Sequence, residues 1–269
     1  MDVRFHAAAA AILTGALEAL EVELTENPDL ATSRSSCGHP TLLQLVACEE
    51  ATVPDPVGAA RLLVNHGAAT WFPAVAAAGC NSAAVLEFLI GTGADVDGVG
   101  VWTPLEEALY WVSPDTTALL VQHGAPIRSL AAAAGLGDMP ETRRLLDGGS
   151  LHSDAGPIRS PFPDTVPDGL ADDVQSIIDH AFVMAANAGQ AETARELHAA
   201  GAQVNARPPG YHWHGTALHA AVWRGDAGLV SWLFTVGADP SVRDGLAHAD
   251  AEGWATHHDH PELIPLLRP

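Results

Sequence analysis

The sequence predicts an all-α protein, a solenoid in which helix-turn-helix units stack one on the next. Three observations predict this fold class. A pattern that closes on glycine returns at a fixed distance along the 269 residues. Small residues, with alanine at 49 positions, fall where neighbouring first helices would pack closely. Pairs of leucine, such as Leu62-Leu63 and Leu119-Leu120, give each second helix an apolar stripe.

The clearest unit occupies residues 216–240. It opens with Thr-Ala-Leu-His-Ala-Ala from Thr216 to Ala221, continues through Gly225, and closes with Gly-Ala-Asp-Pro from Gly237. This unit resembles the ankyrin-repeat family, in which Thr-x-Leu-His-x-Ala begins the first of two helices. The resemblance implies stacked helix pairs with one continuous core. It also implies a binding module, most often for a protein partner.

The same spacing recurs in seven further units. In the clearest unit the closing Gly237 lies 21 positions after Thr216, and the turn residue Gly225 lies nine after it. The eight units start at His6, Thr41, Phe72, Thr103, Arg128, His180, Thr216 and Asp250. The second unit carries five extra residues around Glu49–Pro56. We therefore expect one ankyrin-repeat domain over residues 1–269, with Thr or Ser caps before first helices and a left-handed closing glycine.

Three departures from the repeat concern its loops. Only Ala125-Pro126-Ile127 separates the fourth and fifth units, which leaves no room for the usual finger. An insertion at residues 150–175 adds about 19 residues between the fifth and sixth units and contains four prolines. Its apolar residues Ile158, Phe162 and Val166 favour a lid-like loop that docks on the array. The finger at residues 207–215 is also lengthened, and it carries two aromatic and two histidine side chains on a turn stiffened by Pro and Gly.

The resemblance implies a binding surface, because the concave face of ankyrin repeats is built from finger tips and the ends of first helices. Carried over to positions seven and eight after each start, it predicts exposed side chains there. The aromatic, histidine and arginine residues at these positions and in the neighbouring fingers are Trp102, Tyr110, Trp111, Tyr211, His212, Trp213, His214, Trp223, Arg224, His257 and His258. Such side chains are typical of ligand sites and of the residues that dominate protein–protein interfaces.

Two functions remain open for this surface. The first is a recognition protein that binds a protein partner or a small-molecule ligand. The second is an enzyme whose concave pocket is closed by the 150–175 loop. That enzyme would use His212, His214 and Tyr211 in acid–base chemistry, of an isomerase, cyclase or hydrolase type, on a small hydrophobic substrate. Packing competes with both functions: His219 is expected to bond neighbouring fingers, and Trp254 could pack between units.

Acidic and histidine-rich pieces give weaker signals. Glu106 and Glu107 are adjacent, so on a helix they point about 100° apart and are expected to be solvated carboxylates at its N-terminus. Histidines at positions 212, 214, 257, 258 and 260 could approach one another. A His-x-His turn is nevertheless a weak signal for zinc. We expect no metal and no cofactor.

The charge argues against several partners. The chain has 33 acidic and 12 basic residues, all of the basic ones arginine, for a formal net charge of −21. It would repel nucleic acid and an anionic membrane, and the charge favours a monomer. Three cysteines without a Cys-x-x-Cys pair, and no basic signal segment after Met1, predict a cytoplasmic protein. Abundant alanine without lysine is typical of a GC-rich bacterial genome.

Overall fold

The structure, a computed structural model, describes residues 3–35, 41–98, 102–146 and 151–268. These residues form sixteen α-helices and short 3₁₀ turns, with no strand among them, so the all-α prediction is confirmed. In chain order the helices are α1 Val3–Thr14, α2 Leu17–Glu26, α3 Leu42–Cys48, α4 Pro56–Asn65, α5 Trp71–Gly79, α6 Ala83–Gly91, α7 Pro104–Tyr110, α8 Pro114–Gln122, α9 Leu130–Leu136, α10 Met139–Leu146, α11 Val174–Asn187, α12 Ala191–Ala199, α13 Ala217–Trp223, α14 Ala227–Thr235, α15 Ala251–His257 and α16 Ile264–Leu267.

The chain divides into two compact units, Met1–Pro126 and Ile127–Pro269. In the first unit α1, α3, α5 and α7 stack in one row, and α2, α4, α6 and α8 form a second row against them. In the second unit α9, α11, α13 and α15 form the first row, and each of them packs on the helix that follows it. Each unit therefore repeats one helix pair, as a solenoid does. The expectation of a single domain over residues 1–269 stays a prediction.

The predicted caps begin several of the first helices. The hydroxyls of Thr41 and Thr103 each accept the backbone N–H three residues ahead, at 3.1 Å, and the Asp250 carboxylate caps α15 in the same way. Each such cap satisfies a helical N–H that would otherwise lack an acceptor, a contribution of about 1 kcal/mol. The regular spacing therefore places these helix starts correctly.

The sixth unit departs from the predicted boundaries. Its first helix, α11, begins at Val174 and not beside His180, so it takes the last residues of the predicted 150–175 insertion. The Asp173 carboxylate accepts the Ser176 N–H at 2.8 Å and caps the helix there. The first turns are held in place because Ile177 and Ile178 are buried. A helix of 14 residues results, and the inserted loop ends at residue 173.

A left-handed backbone joins the two helices of most pairs. Glycine occupies this position four times, with φ between 70° and 75°, and Gly225 is one example. Asn81, Val112 and Asp259 occupy it in three other pairs, with φ of 56°, 56° and 61°. Asn and Asp tolerate this region, whereas a β-branched side chain at positive φ is strained. The closing glycines of the described units also have positive φ, as predicted.

The insertion loop, described from residue 151 to residue 173, docks on the long finger, residues 207–215. The Ser160 hydroxyl donates to the Gly210 carbonyl at 2.7 Å, and the Gly210 N–H donates to the Thr165 carbonyl at 3.2 Å. Ile158 is buried, and its N–H donates to the Ala171 carbonyl at 2.7 Å, which closes the loop on itself. The prediction that this loop docks on the array is confirmed.

Candidate functional site

The long finger turns its aromatic side chains inward, within the second unit. Tyr211 is fully buried and Trp213 is 8% exposed, so the prediction that both lie exposed on a binding face is wrong. The Tyr211 hydroxyl donates to the backbone carbonyl of His180 at 3.1 Å. A Cβ added at Gly210 would lie only 2.8 Å from the His180 ring, so the finger runs directly against α11. The finger therefore buries these rings against the helices α11 and α15.

Ring contacts form a column from this buried finger to the end of α15. The His180 and Tyr211 rings stack with their centroids 4.6 Å apart, and the Tyr211 and Trp213 centroids are 5.0 Å apart. Trp213 in turn contacts Trp254 at 5.3 Å, and Trp254 contacts His258 at 5.2 Å. Aromatic pairs at such separations stabilise the fold beyond the area that they bury. Trp254 packs between helix pairs, as the sequence suggested.

Two histidines of this region have structural roles. His180 is buried, its Nδ1 donates to the Pro209 carbonyl at 2.9 Å, and desolvation lowers its pKa to about 4. It is therefore neutral at pH 7. His219 accepts the Thr216 N–H on Nδ1 at 3.1 Å, while its Nε2 lies 3.4 Å from the Ala249 carbonyl. The predicted role of His219, bonding between neighbouring fingers, is confirmed.

The two finger histidines contact different segments. The His212 ring is half-buried against Phe162 of the insertion loop, with centroids 5.0 Å apart. Burial is the first cause of its lowered pKa, and the positive charge that His214 can carry is the second. His214 packs against Gly245, because a Cβ added to Gly245 would lie 2.7 Å from the Cβ of His214. With Tyr211 buried, the enzyme hypothesis rests on these two histidines and stays a prediction.

Four side chains at the ends of α13 and α15 form the surface part of the predicted site in the second unit. We call Trp223, Arg224, His257 and His258 the α13–α15 surface. Arg224 and His257 are exposed, whereas Trp223 and His258 are half-buried. The His258 ring lies 4.8 Å from His257 and 6.3 Å from Trp223, centroid to centroid. Burial, followed by the charges of His257 and His260, lowers the His258 pKa.

Backbone contacts hold this surface in position. Arg224 Nη1 donates to the Asn187 carbonyl at 3.2 Å, and its guanidinium lies across Gly189, where an added Cβ would come within 2.8 Å of Nε. His260 Nε2 donates to the Trp223 carbonyl at 3.1 Å. These contacts tie the end of α13 to the turns on either side of it. The four side chains are therefore presented by a backbone with little freedom.

In the first unit the predicted residues surround a carboxylate. Both indole N–H groups, from Trp102 and from Trp111 at 3.0 Å, donate to the two oxygens of Glu107. Burial raises the Glu107 pKa, and the two indole bonds act against that rise. Tyr110 is 3% exposed between the two tryptophans, so its predicted exposure is wrong, while Trp111 is 40% exposed. The Tyr110 ring packs edge-on against the rings of Trp102 and Trp111.

The expectation of two solvated glutamates on α7 is wrong. Glu106 is buried, and its carboxylate returns to the Thr103 N–H to complete a capping box. Glu107 was not among the predicted site residues, although it links two tryptophans that were. The spacing in the sequence does indicate a contact between Glu107 and Trp111, because residues four apart lie on the same face of a helix.

Within residues 3–35, 41–98, 102–146 and 151–268, no group of three or more His, Cys, Asp or Glu side chains is arranged to hold a metal ion. In the same described parts of the chain, no helix is both long enough and apolar enough to cross a membrane.

Comparison with known proteins gives a match in the second unit. A family model described as "Ankyrin repeats (many copies)" matches residues 182–234, which run from α11 to α14. The ankyrin repeat domain of human ASB11 is a similar solved structure, with 17% identity, coverage of 100% of this chain and 99% of that chain, and a TM-score of 0.44. No curated protein matches the sequence. The family match and the repeated helix pairs together identify ankyrin repeats in this chain.

Proposed function

We propose that this chain is a recognition protein that binds a protein partner through the α13–α15 surface. Ankyrin repeats are protein-interaction modules, and the partner face of such repeats includes the ends of first helices. The observation that carries the proposal is that side chains at the ends of α13 and α15 remain accessible to solvent. Tyr211 and Trp213 are buried, yet Trp223, Arg224 and His257 keep surface area at successive helix ends. Trp and Arg are the residue types that most often dominate protein interfaces.

The anchoring of Arg224 supports this proposal. Its contacts with the Asn187 carbonyl and the Gly189 backbone restrict the side chain before any partner arrives. Binding of a partner would therefore cost the Arg224 side chain less conformational entropy than it would cost a free arginine. The remaining guanidinium N–H groups suit a carboxylate or carbonyl acceptor on the partner.

In the first unit, Trp111 is a separate candidate contact. The Glu107 bond to its indole N–H fixes the orientation of the ring, and two fifths of the residue stays accessible. An amphipathic ring whose orientation is already fixed loses little conformational entropy when a protein partner binds. We propose it as an additional contact within that unit, to be tested by its own substitution.

The experiment compares partner capture by variants of the full chain. Immobilised wild-type chain and the Trp223→Ala/Arg224→Ala double variant are exposed to a lysate of the source cell, and captured proteins are quantified by mass spectrometry. Trp232→Ala is the matched control, because Trp232 is a half-buried tryptophan on the second helix α14. We expect at least a tenfold loss of capture in the double variant only, which corresponds to about 1.4 kcal/mol. Equal capture by the wild type and the double variant would refute the assignment.

A further inference from the structure

Two cysteines of the first unit lie side by side. Cys48 is the last residue of α3, and Cys80 directly follows the last residue of α5, the helix that packs on α3. Each thiol is the largest single influence on the pKa of the other, so the two side chains lie within reach of one another. Both are reduced, Cys48 is half-buried and Cys80 is exposed. The pair therefore joins two neighbouring ankyrin units and can be reached from solvent.

The backbone on both sides of this pair is tied down. The Glu50 carboxylate, two residues after Cys48, accepts the Val85 N–H at 2.8 Å from the start of α6. After Cys80, the Asn81 side chain accepts the Asp115 N–H and donates to the Asp115 carboxylate, both at 2.9 Å. The two turns that carry the sulfur atoms are thus held across helix pairs.

We propose that Cys48 and Cys80 form a dithiol site that closes to a reversible intramolecular disulfide when it meets a low-molecular-weight disulfide such as oxidised glutathione. The Cys80 thiolate attacks one sulfur of the oxidant, which leaves a mixed disulfide on Cys80 and releases one thiol. The Cys48 thiolate then attacks the Cys80 sulfur and releases the second thiol. Two protein thiols are oxidised, one small disulfide is reduced to two thiols, and the two protein protons pass to those leaving groups.

Exposure and the neighbouring thiol both make Cys80 the first sulfur to react. It is the more accessible of the two, and its interaction with Cys48 lowers its pKa. Its burial and the nearby carboxylates of Glu107 and Glu49 act against that shift. Cys48 has a raised pKa, which makes it the poorer nucleophile of the two, so it is assigned the second, resolving step. This inference concerns the first unit alone and does not depend on the proposed function.

The test uses the full chain with Cys37→Ser, so that only the two proposed thiols remain. The folded protein is incubated with oxidised glutathione, alkylated with iodoacetamide and weighed intact. We expect a loss of two hydrogen atoms, no alkylation, no covalent dimer on a non-reducing gel, and full reversal by dithiothreitol. A stable glutathione adduct without ring closure, a covalent dimer, or two thiols that are still alkylated would each overturn the proposal.

Two matched variants localise the reaction. Cys37→Ser/Cys48→Ser should stop at a glutathione adduct on Cys80, because the resolving thiol is missing. Cys37→Ser/Cys80→Ser should react several-fold more slowly at the less accessible Cys48. Circular dichroism confirms that each variant is folded, and Cys48→Ala replaces Cys48→Ser if the hydroxyl is not tolerated. Reaction at Cys48 that is as fast as at Cys80 would contradict the assigned order.

Discussion

Acid should destabilise the second unit through His180, and the size of the effect follows from its burial. The pKa of this ring is lowered by desolvation to about 4, while an unfolded histidine titrates near its ordinary value of 6.5. Between those two values the unfolded chain binds a proton that the folded chain does not. Stability is therefore fully present above pH 6.5 and falls as the pH drops through that value, with no further loss from this group below pH 4.

Linkage gives the magnitude for this one group. Between pH 7 and pH 5 the difference in pKa lowers the free energy of unfolding by about 2 kcal/mol. The pKa values of His212, His219 and His258 are also lowered, and these groups act in the same direction. Asp179 and Glu107 have raised pKa values and act in the opposite direction. A wild-type measurement alone therefore does not isolate His180.

The assay compares the wild type with His180→Asn in urea denaturation at pH 7, 6 and 5. Asparagine cannot titrate, and its amide can still donate to the Pro209 carbonyl that now accepts from Nδ1. Loss of the ring stack on Tyr211 lowers stability equally at every pH, so it cancels when the slopes are compared. The wild type should lose about 2 kcal/mol more than the variant between pH 7 and pH 5. Parallel pH profiles for the two proteins would refute the reasoning.

Two further predictions concern backbone conformation. Val112→Gly should stabilise the first unit by about 1 kcal/mol, because glycine relieves the strain of a β-branched residue held at φ 56°. We expect the midpoint of urea unfolding to rise, and a lower midpoint would contradict the strain argument. Gly156→Ala should destabilise the second unit by about 2 kcal/mol or more, because the φ of Gly156 is 66° and an added Cβ would lie 2.5 Å from the Arg128 carbonyl oxygen. Thermal unfolding followed by circular dichroism measures this loss. An unchanged Tm would show that the loop is not held against Arg128.

The repeat was predictable because its signals are local. A glycine or a Thr cap indicates the backbone conformation of its own turn. The fixed spacing then locates the equivalent turns from Thr41 to Asp250. Side-chain exposure at Tyr110 and Tyr211 was not predictable in the same way. It depends on how the rings pack in three dimensions. Tyr110 lies between Trp102 and Trp111, and Tyr211 packs on His180, which lies 31 residues earlier in the chain. The proximity of Cys48 to Cys80 was also hidden, because no short motif joins them.

The paired bonds of Gly210 with Ser160 and Thr165 make the insertion loop and the long finger dependent on each other. A chain that shortened the finger alone would leave Phe162 and Ile158 without their partners. A chain that lost the loop alone would leave Gly210 without its bonds to Ser160 and Thr165. We expect either change alone to destabilise the second unit, whereas both together leave no bond without its partner. We expect descendants of a common ancestor to have gained or lost the two segments together, so that the length of one predicts the length of the other.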